Sequence, residues 1–385
     1  MEKDTLRPPL CTRAALACWL WLAVLTGAAE PPTARADPPT TGTGTAVAAA
    51  QPVERHQLFY IIPFTPVPDG IGGPLVKVRL NGKVDATFLI DTGSNADLIS
   101  GKVADSLGLA RSPVLAVDGK PFSMFGKPAV GVTFNRMELP TDSQGNMVIQ
   151  PVDGQFIVAD DKRLLVATGL TADGVIGANF LENFAVSFDF SAYKMILLQP
   201  GVLSEAQARQ LGCAGPGGAE LPLIANGEDQ FFVPALLDTG TASRSAELIV
   251  DTGGKLTIIP RDAAKALSLK PARQQPVLGG SFGYVTLSQT QVPSLSLGGI
   301  NLLDRPVLYP GKQDYPAILG MDILKGYKVL LDYPAHKMYL MPNMTLAPVQ
   351  IKPTAPTPTT APAPAAPPPT AAPAAPATPP VPKKP

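Results

Sequence analysis

The feature that most constrains this chain is an internal repeat. Phe88–Leu109 lies without gaps on Leu248–Leu269, matching Asp91 with Asp251, Ile99 with Ile259, Ala104 with Ala264, Leu107 with Leu267 and Leu109 with Leu269. A second pair of segments repeats further along, where Gly177 meets Gly320, Leu181 meets Leu324, Val186 meets Val329, Asp189 meets Asp332 and Lys194-Met195 meets Lys337-Met338. Two separate matches in the same order indicate a duplicated fold, and a repeat decides architecture ahead of local readings. At the centre of each copy an apolar strand runs into Asp-Thr-Gly, at Asp91-Thr92-Gly93 and at Asp251-Thr252-Gly253. Related loops of a duplicated fold would set these two carboxyls facing each other.

With 385 residues, two lobes are the natural division. Lys plus Arg balances Asp plus Glu at 31 each, and no basic cluster stands out, which excludes nucleic acid as an expected partner. Residues 1–36 have the layout of a secretory signal peptide: Arg7 and Arg13, then the apolar run Ala14–Leu25, then small residues with cleavage expected after Ala29 or Ala36. The run is short for a membrane span, so no span is expected in the mature chain, which would be secreted or periplasmic. Cys11 and Cys18 would leave with the leader, so Cys213 could form no internal disulfide. Trp19 and Trp21 would leave too.

Residues 37–56 read as a flexible Pro/Thr-rich lead-in, 57–200 as the first lobe, 201–218 as an inter-lobe linker and 219–344 as the second lobe. Residues 345–385, rich in Pro, Ala and Thr, read as a disordered tail that cannot bury a core. Within the lobes the pattern is that of strands. Val76-Lys-Val-Arg-Leu80 alternates with period two, and Asn81-Gly82 is a hairpin turn whose central positions need positive φ. Short helices are expected over Lys102–Leu109 and Ala178–Asn183.

Two carboxyl groups within about 3 Å cannot both ionise at ordinary pH, so they share a proton. The ionised member can deprotonate a water while the protonated one hydrogen-bonds a peptide carbonyl, with no covalent adduct. A glycine after the threonine lets backbone N–H groups turn towards the carboxylate, and a hydroxyl can bond across to the other loop. In these residues the chain resembles the aspartic peptidases of the pepsin and retropepsin group, whose signature is Asp-Thr-Gly after an apolar strand and a later apolar-apolar-Gly before a short helix. The resemblance runs over residues 58–342. It implies an all-β, bilobal acid-protease-like fold, two retropepsin-like β-barrel lobes with a few short helices. It further implies a catalytic dyad of Asp91 and Asp251 supported by Thr92, Gly93, Ser94, Thr252 and Gly253, with Thr92 and Thr252 interlocking the loops. Gly177 and Gly320 would lie on strands crossing behind the dyad. The implied activity is an aspartic endopeptidase acting on polypeptides, a monomer by intramolecular lobe pairing, without metal or cofactor.

The second copy departs from the pepsin pattern, because Gly254 stands where Ser94 follows the first triplet and the hydroxyl expected to support the carboxylate is missing. This keeps open an inactive peptide-binding or envelope-interaction module on the same fold, and a single active half working by dimerisation. A third triplet, Asp238-Thr239-Gly240, competes with Asp251. In the gapless register Val233–Leu237 takes the place of Val76–Leu80, which sets Asp238 where Asn81 makes a turn. The register therefore favours Asp251. Flap candidates are Gly126, 35 residues after Asp91, and Gly283 with Tyr284, 32 residues after Asp251; both stretches also read as ordinary turns. His56 and His336 are the only histidines, too few for a histidine metal cluster and poorly placed for a Ser-His pair.

Overall fold

The computed structural model describes residues 59–343, apart from breaks at 68–71, 117–118, 125–126, 143–144, 150–154, 161, 163, 165–171, 200, 202, 227–229, 279–283 and 313. The leader, lead-in and tail read from the sequence lie outside the described residues, as do Gly126 and Gly283; of Tyr284 only the backbone is described.

The chain is built almost wholly of strands, with five short helices among the described residues. Three sheets organise it. A nine-stranded sheet belongs to the first half, with its centre at Leu75–Leu80, Val84–Ile90, Gly174–Ile176 and Leu98–Ser100. A sheet of the second half contains Phe231–Asp238, Ser243–Val250 and Ile318–Leu319, together with the long strands Tyr284–Leu297 and Ile300–Pro310. The six-stranded third sheet is shared, in the order Phe59–Pro63, Lys194–Leu198, Ala185–Asp189, Tyr327–Asp332, Lys337–Pro342, Ala219–Pro222.

Local chemistry accounts for these elements. In Leu75–Leu80 the buried Val76, Val78 and Leu80 alternate with exposed Lys77 and Arg79, the pattern of a strand with one wet face. Asn81 and Gly82 turn the chain with φ of 50° and 66°, which suits a tight hairpin. The helix Gly101–Ser106 starts where the Ser100 hydroxyl accepts the Val103 N–H, and it buries Val103 and Ala104. The stretch expected as a linker between the lobes has a helix of its own, Glu205–Gln210, with a capping box between Ser204 and Gln207. That box is a local side-chain signal which the reading of 201–218 passed over.

The shared sheet makes the duplication geometric. Ala185–Asp189 pairs antiparallel with Tyr327–Asp332, and Ser187 is opposite Leu330. These two residues are equivalents in the repeat, so a pseudo-two-fold axis passes between them. Around this axis the inner strands of both halves bury Val186, Phe188, Val329 and Leu331 in one continuous hydrophobic cluster. Two lobes joined in this way, each sheet-built and each carrying one copy of the repeat, form a bilobal acid-protease-like fold.

Candidate active site

Each Asp-Thr-Gly loop follows the end of a strand, Val84–Ile90 in the first half and Ser243–Val250 in the second. The short crossing strands hold both loops in the same way. The Asp91 N–H donates to Ile176 O at 3.0 Å and the Asp251 N–H to Leu319 O at 3.1 Å. Ala178 N–H donates to Ser94 O at 2.7 Å, and Met321 N–H to Gly254 O at 2.8 Å. Gly177 and Gly320 make this approach possible. A Cβ on Gly177 would stand 2.6 Å from Ser94 O, and one on Gly320 would stand 2.6 Å from the carbonyl carbon of Leu256.

The threonines lock one loop to the other. Thr92 Oγ1 donates to Val250 O at 2.6 Å and accepts the Thr252 N–H at 3.0 Å. In return, Thr252 Oγ1 donates to Ile90 O at 2.8 Å and accepts the Thr92 N–H at 3.1 Å. Both side chains are buried. Every hydroxyl therefore satisfies one donor and one acceptor of the opposite lobe, and neither loop completes its hydrogen bonding alone.

This lock brings the carboxyls together. The two carboxyls are neighbours, close enough that each bears on the charge of the other. Each also fills the space beside the glycine of the other loop: a Cβ on Gly93 would stand 2.5 Å from Asp251 Cγ, and one on Gly253 2.4 Å from Asp91 Cγ. Asp91 Oδ1 accepts the N–H groups of Gly93 at 3.0 Å and Ser94 at 3.1 Å, and Asp251 Oδ1 accepts that of Gly254 at 2.7 Å. Burial raises the pKa of Asp91, while the Asp251 carboxyl and the N–H groups of Gly93, Ser94 and Gly253 pull it back. Asp251 is raised further, by burial and by the charge of Asp91. The pair is therefore built to share one proton.

The structure corrects the expected part of Ser94. Its N–H supports Asp91, but its hydroxyl donates to Ala96 O at 2.8 Å and makes no bond to the carboxyl. The contrast with Gly254 shrinks accordingly. At Gly254 a Cβ would stand 2.5 Å from Asp251 Oδ2 and 2.7 Å from Ile318 Cδ1, so glycine is the residue this loop accommodates.

Asp238 stands elsewhere. It ends Phe231–Asp238 at the hairpin to Ser243–Val250, where its Oδ1 accepts the Gly240 N–H at 2.6 Å. Of the flap candidates, the stem Ser123–Met124 with Lys127–Pro128 and the hairpin Arg273–Leu278 with Tyr284–Leu297 are described, and their tips are not. Asp189 and Asp332, matched in the repeat, bond the turns after their strands: Asp189 Oδ1 accepts from Ser191 and Ala192, and Asp332 Oδ1 from Ala335.

Two carboxyls behind the dyad, Asp97 buried and Asp322 half-buried, escaped the sequence reading. Asp97 accepts the Gly177 N–H and the Asn179 side-chain amide, both at 2.8 Å, and burial pushes its pKa up to about 6. At the matching place in the second half, Thr257 Oγ1 accepts the Gly320 N–H at 3.1 Å and donates to Asp322 Oδ1 at 2.8 Å. The carboxylate has changed sides of the same contact. The gapless repeat aligns Asp97 with Thr257 and Asn179 with Asp322, so the exchange was visible in the sequence, though not its burial.

Comparison with known proteins separates the two halves. Residues 76–180 match the family described as "Aspartyl protease", and residues 237–326 match "gag-polyprotein putative aspartyl protease". No curated protein sequence gives a significant match. Among solved structures the chain is similar to that titled "Crystal structure of Basic 7S globulin from soybean", with 10% identity, covering 74% of this chain and 94% of that one, at a TM-score of 0.41. With an aspartyl protease match on each copy of its repeat, this chain belongs to the aspartic peptidases of the pepsin and retropepsin group.

Proposed function

We propose that the protein is an aspartic endopeptidase that hydrolyses peptide bonds with a water activated between Asp91 and Asp251. The observation that carries this reading is the reciprocal seating of the two carboxyls: each stands against the glycine of the other loop and accepts an N–H of its own. Asp91, with the larger set of N–H donors, is the base; Asp251 holds the proton and is the acid. Water adds to the peptide carbonyl carbon as Asp91 takes its proton and Asp251 gives its own to the carbonyl oxygen. The resulting diol collapses as the leaving nitrogen takes the proton from Asp91, the C–N bond breaks and Asp251 recovers a proton from a hydroxyl. The substrate is an unfolded or extended polypeptide, met outside the cytoplasm after export by the leader at residues 1–36.

The test is incubation of the protein, freed of that leader, with an unfolded protein across acid to neutral pH, with and without a statine-type peptide inhibitor. Inhibitor-sensitive cleavage is expected. Asp91→Asn and Asp251→Asn should each remove it, and Asp238→Asn should leave most of it. Cleavage that survives Asp91→Asn would refute the dyad, and inactivity at every pH would favour a binding module on the same fold.

A further inference from the structure

Activating a water between two carboxyls requires both at fixed positions, and in each half a single peptide unit holds the backbone that carries the carboxyl. The Ile176–Gly177 peptide accepts the Asp91 N–H at its carbonyl, at 3.0 Å, and at its other edge donates the Gly177 N–H to Asp97 Oδ1 at 2.8 Å. The Leu319–Gly320 peptide does the same in the second half. Its carbonyl accepts the Asp251 N–H at 3.1 Å, and the Gly320 N–H donates to Thr257 Oγ1 at 3.1 Å. A peptide unit is planar and stiff, so a displacement of one edge is passed to the other. Asp97 and Thr257 thus stand one rigid plane away from the two aspartates.

These two side chains are fixed in turn. Both are buried, and each is tied by its main chain to a strand of its own half: Asp97 O accepts the Ile157 N–H at 2.8 Å, and Thr257 O the Leu308 N–H at 3.0 Å. Each also bonds the short helix after its crossing strand. Asp97 Oδ2 accepts the Asn179 side-chain amide at 2.8 Å, in Ala178–Leu181, and Thr257 Oγ1 donates to Asp322 Oδ1 at 2.8 Å, in Met321–Leu324. A carboxyl in one half and a hydroxyl in the other do the same two jobs. What the place requires is therefore an acceptor for the glycine N–H, joined to the residue two positions beyond that glycine.

We propose that Asp97 and Thr257 are positioning residues of the dyad, which through the Ile176–Gly177 and Leu319–Gly320 peptides set where the Asp91 and Asp251 carboxyls stand. The proposal rests on the endopeptidase reading and adds to it the side chains that keep its geometry. Both act behind the dyad rather than on substrate, so their loss should lower kcat and leave KM nearly unchanged.

The test measures cleavage of an unfolded protein and binding of a statine-type peptide, at a temperature where circular dichroism shows each variant fully folded. Asp97→Ala and Thr257→Val should each lower kcat about tenfold and weaken statine binding in parallel, with KM within about twofold of wild type. Variants that keep the acceptor should keep the rate. Asp97→Asn, with the Asn179 amide turned over to meet it, Thr257→Ser, and the exchange Asp97→Thr with Asn179→Asp should all hold kcat within about twofold of wild type. A folded Asp97→Ala and a folded Thr257→Val with wild-type kcat would overturn the positioning role alone. Should those two fail to fold, the conservative variants still decide, because a larger loss of kcat in folded Asp97→Asn or Thr257→Ser would show that an acceptor does not suffice and overturn the proposal. A wild type that neither cleaves nor binds the inhibitor would overturn the endopeptidase reading, and this role with it.

Discussion

Gly254 shows how much a single residue depends on its surroundings. Set against Ser94 it reads as the loss of a supporting hydroxyl, yet the Ser94 hydroxyl is engaged with Ala96 O and supports no carboxyl. A side chain at 254 would meet Asp251 Oδ2 and Ile318 Cδ1. Gly254→Ser is therefore predicted to lower activity at least tenfold and to destabilise the fold by roughly 1–3 kcal/mol through overpacking, rather than to restore a pepsin-like site. Steady-state kinetics beside a urea titration would check this, and a variant as active and stable as wild type would contradict it.

At the scale of elements, the link between each dyad loop and its crossing strand is made by a reciprocal pair, Asp97 with Asn179 and Thr257 with Asp322. Asn179→Asp would set two carboxyls against each other in a buried place, and it is predicted to destabilise by about 2–4 kcal/mol. Adding Asp97→Thr reproduces the contact of the second half and should recover most of that loss; a double-mutant cycle without coupling would show that the two residues act separately. The same contact carries a pH dependence. The carboxyl of Asp97 has its folded pKa raised to about 6 from 3.8, so its contribution is fully present below about pH 4 and is lost as pH rises to about 6. The size is about 2–3 kcal/mol. Asp97→Asn should thus flatten the fall in urea midpoint between pH 4 and pH 7. Burial shifts Asp91, Asp251 and Asp322 in the same direction.

For the whole molecule, the pseudo-two-fold axis between Ser187 and Leu330 makes each half the template for the other. Separated from the second half, the first would expose the edge of Ala185–Asp189 and leave the bonds of Thr92 unmade. A chain of residues 37–200 is accordingly predicted to form a homodimer, with Ser187 opposite Ser187, detectable by sedimentation velocity. A stable folded monomer would show that the halves do not depend on each other.

Much of this was legible in the order of residues. The gapless register paired Asp91 with Asp251, set Asp238 at a turn and located both crossing glycines, because strand period and turn chemistry are local properties carried by covalent spacing. It did not show where the Ser94 hydroxyl points, or that Asp97 is buried and Asp322 half-buried against the crossing strands. Those depend on rotamers and on contacts between distant segments, which are settled only when the lobes close on each other. The sequence by itself determined the duplication and the identity of the facing loops; the tertiary structure decided what each side chain around them touches, because packing, not spacing, chooses among the partners that a register allows.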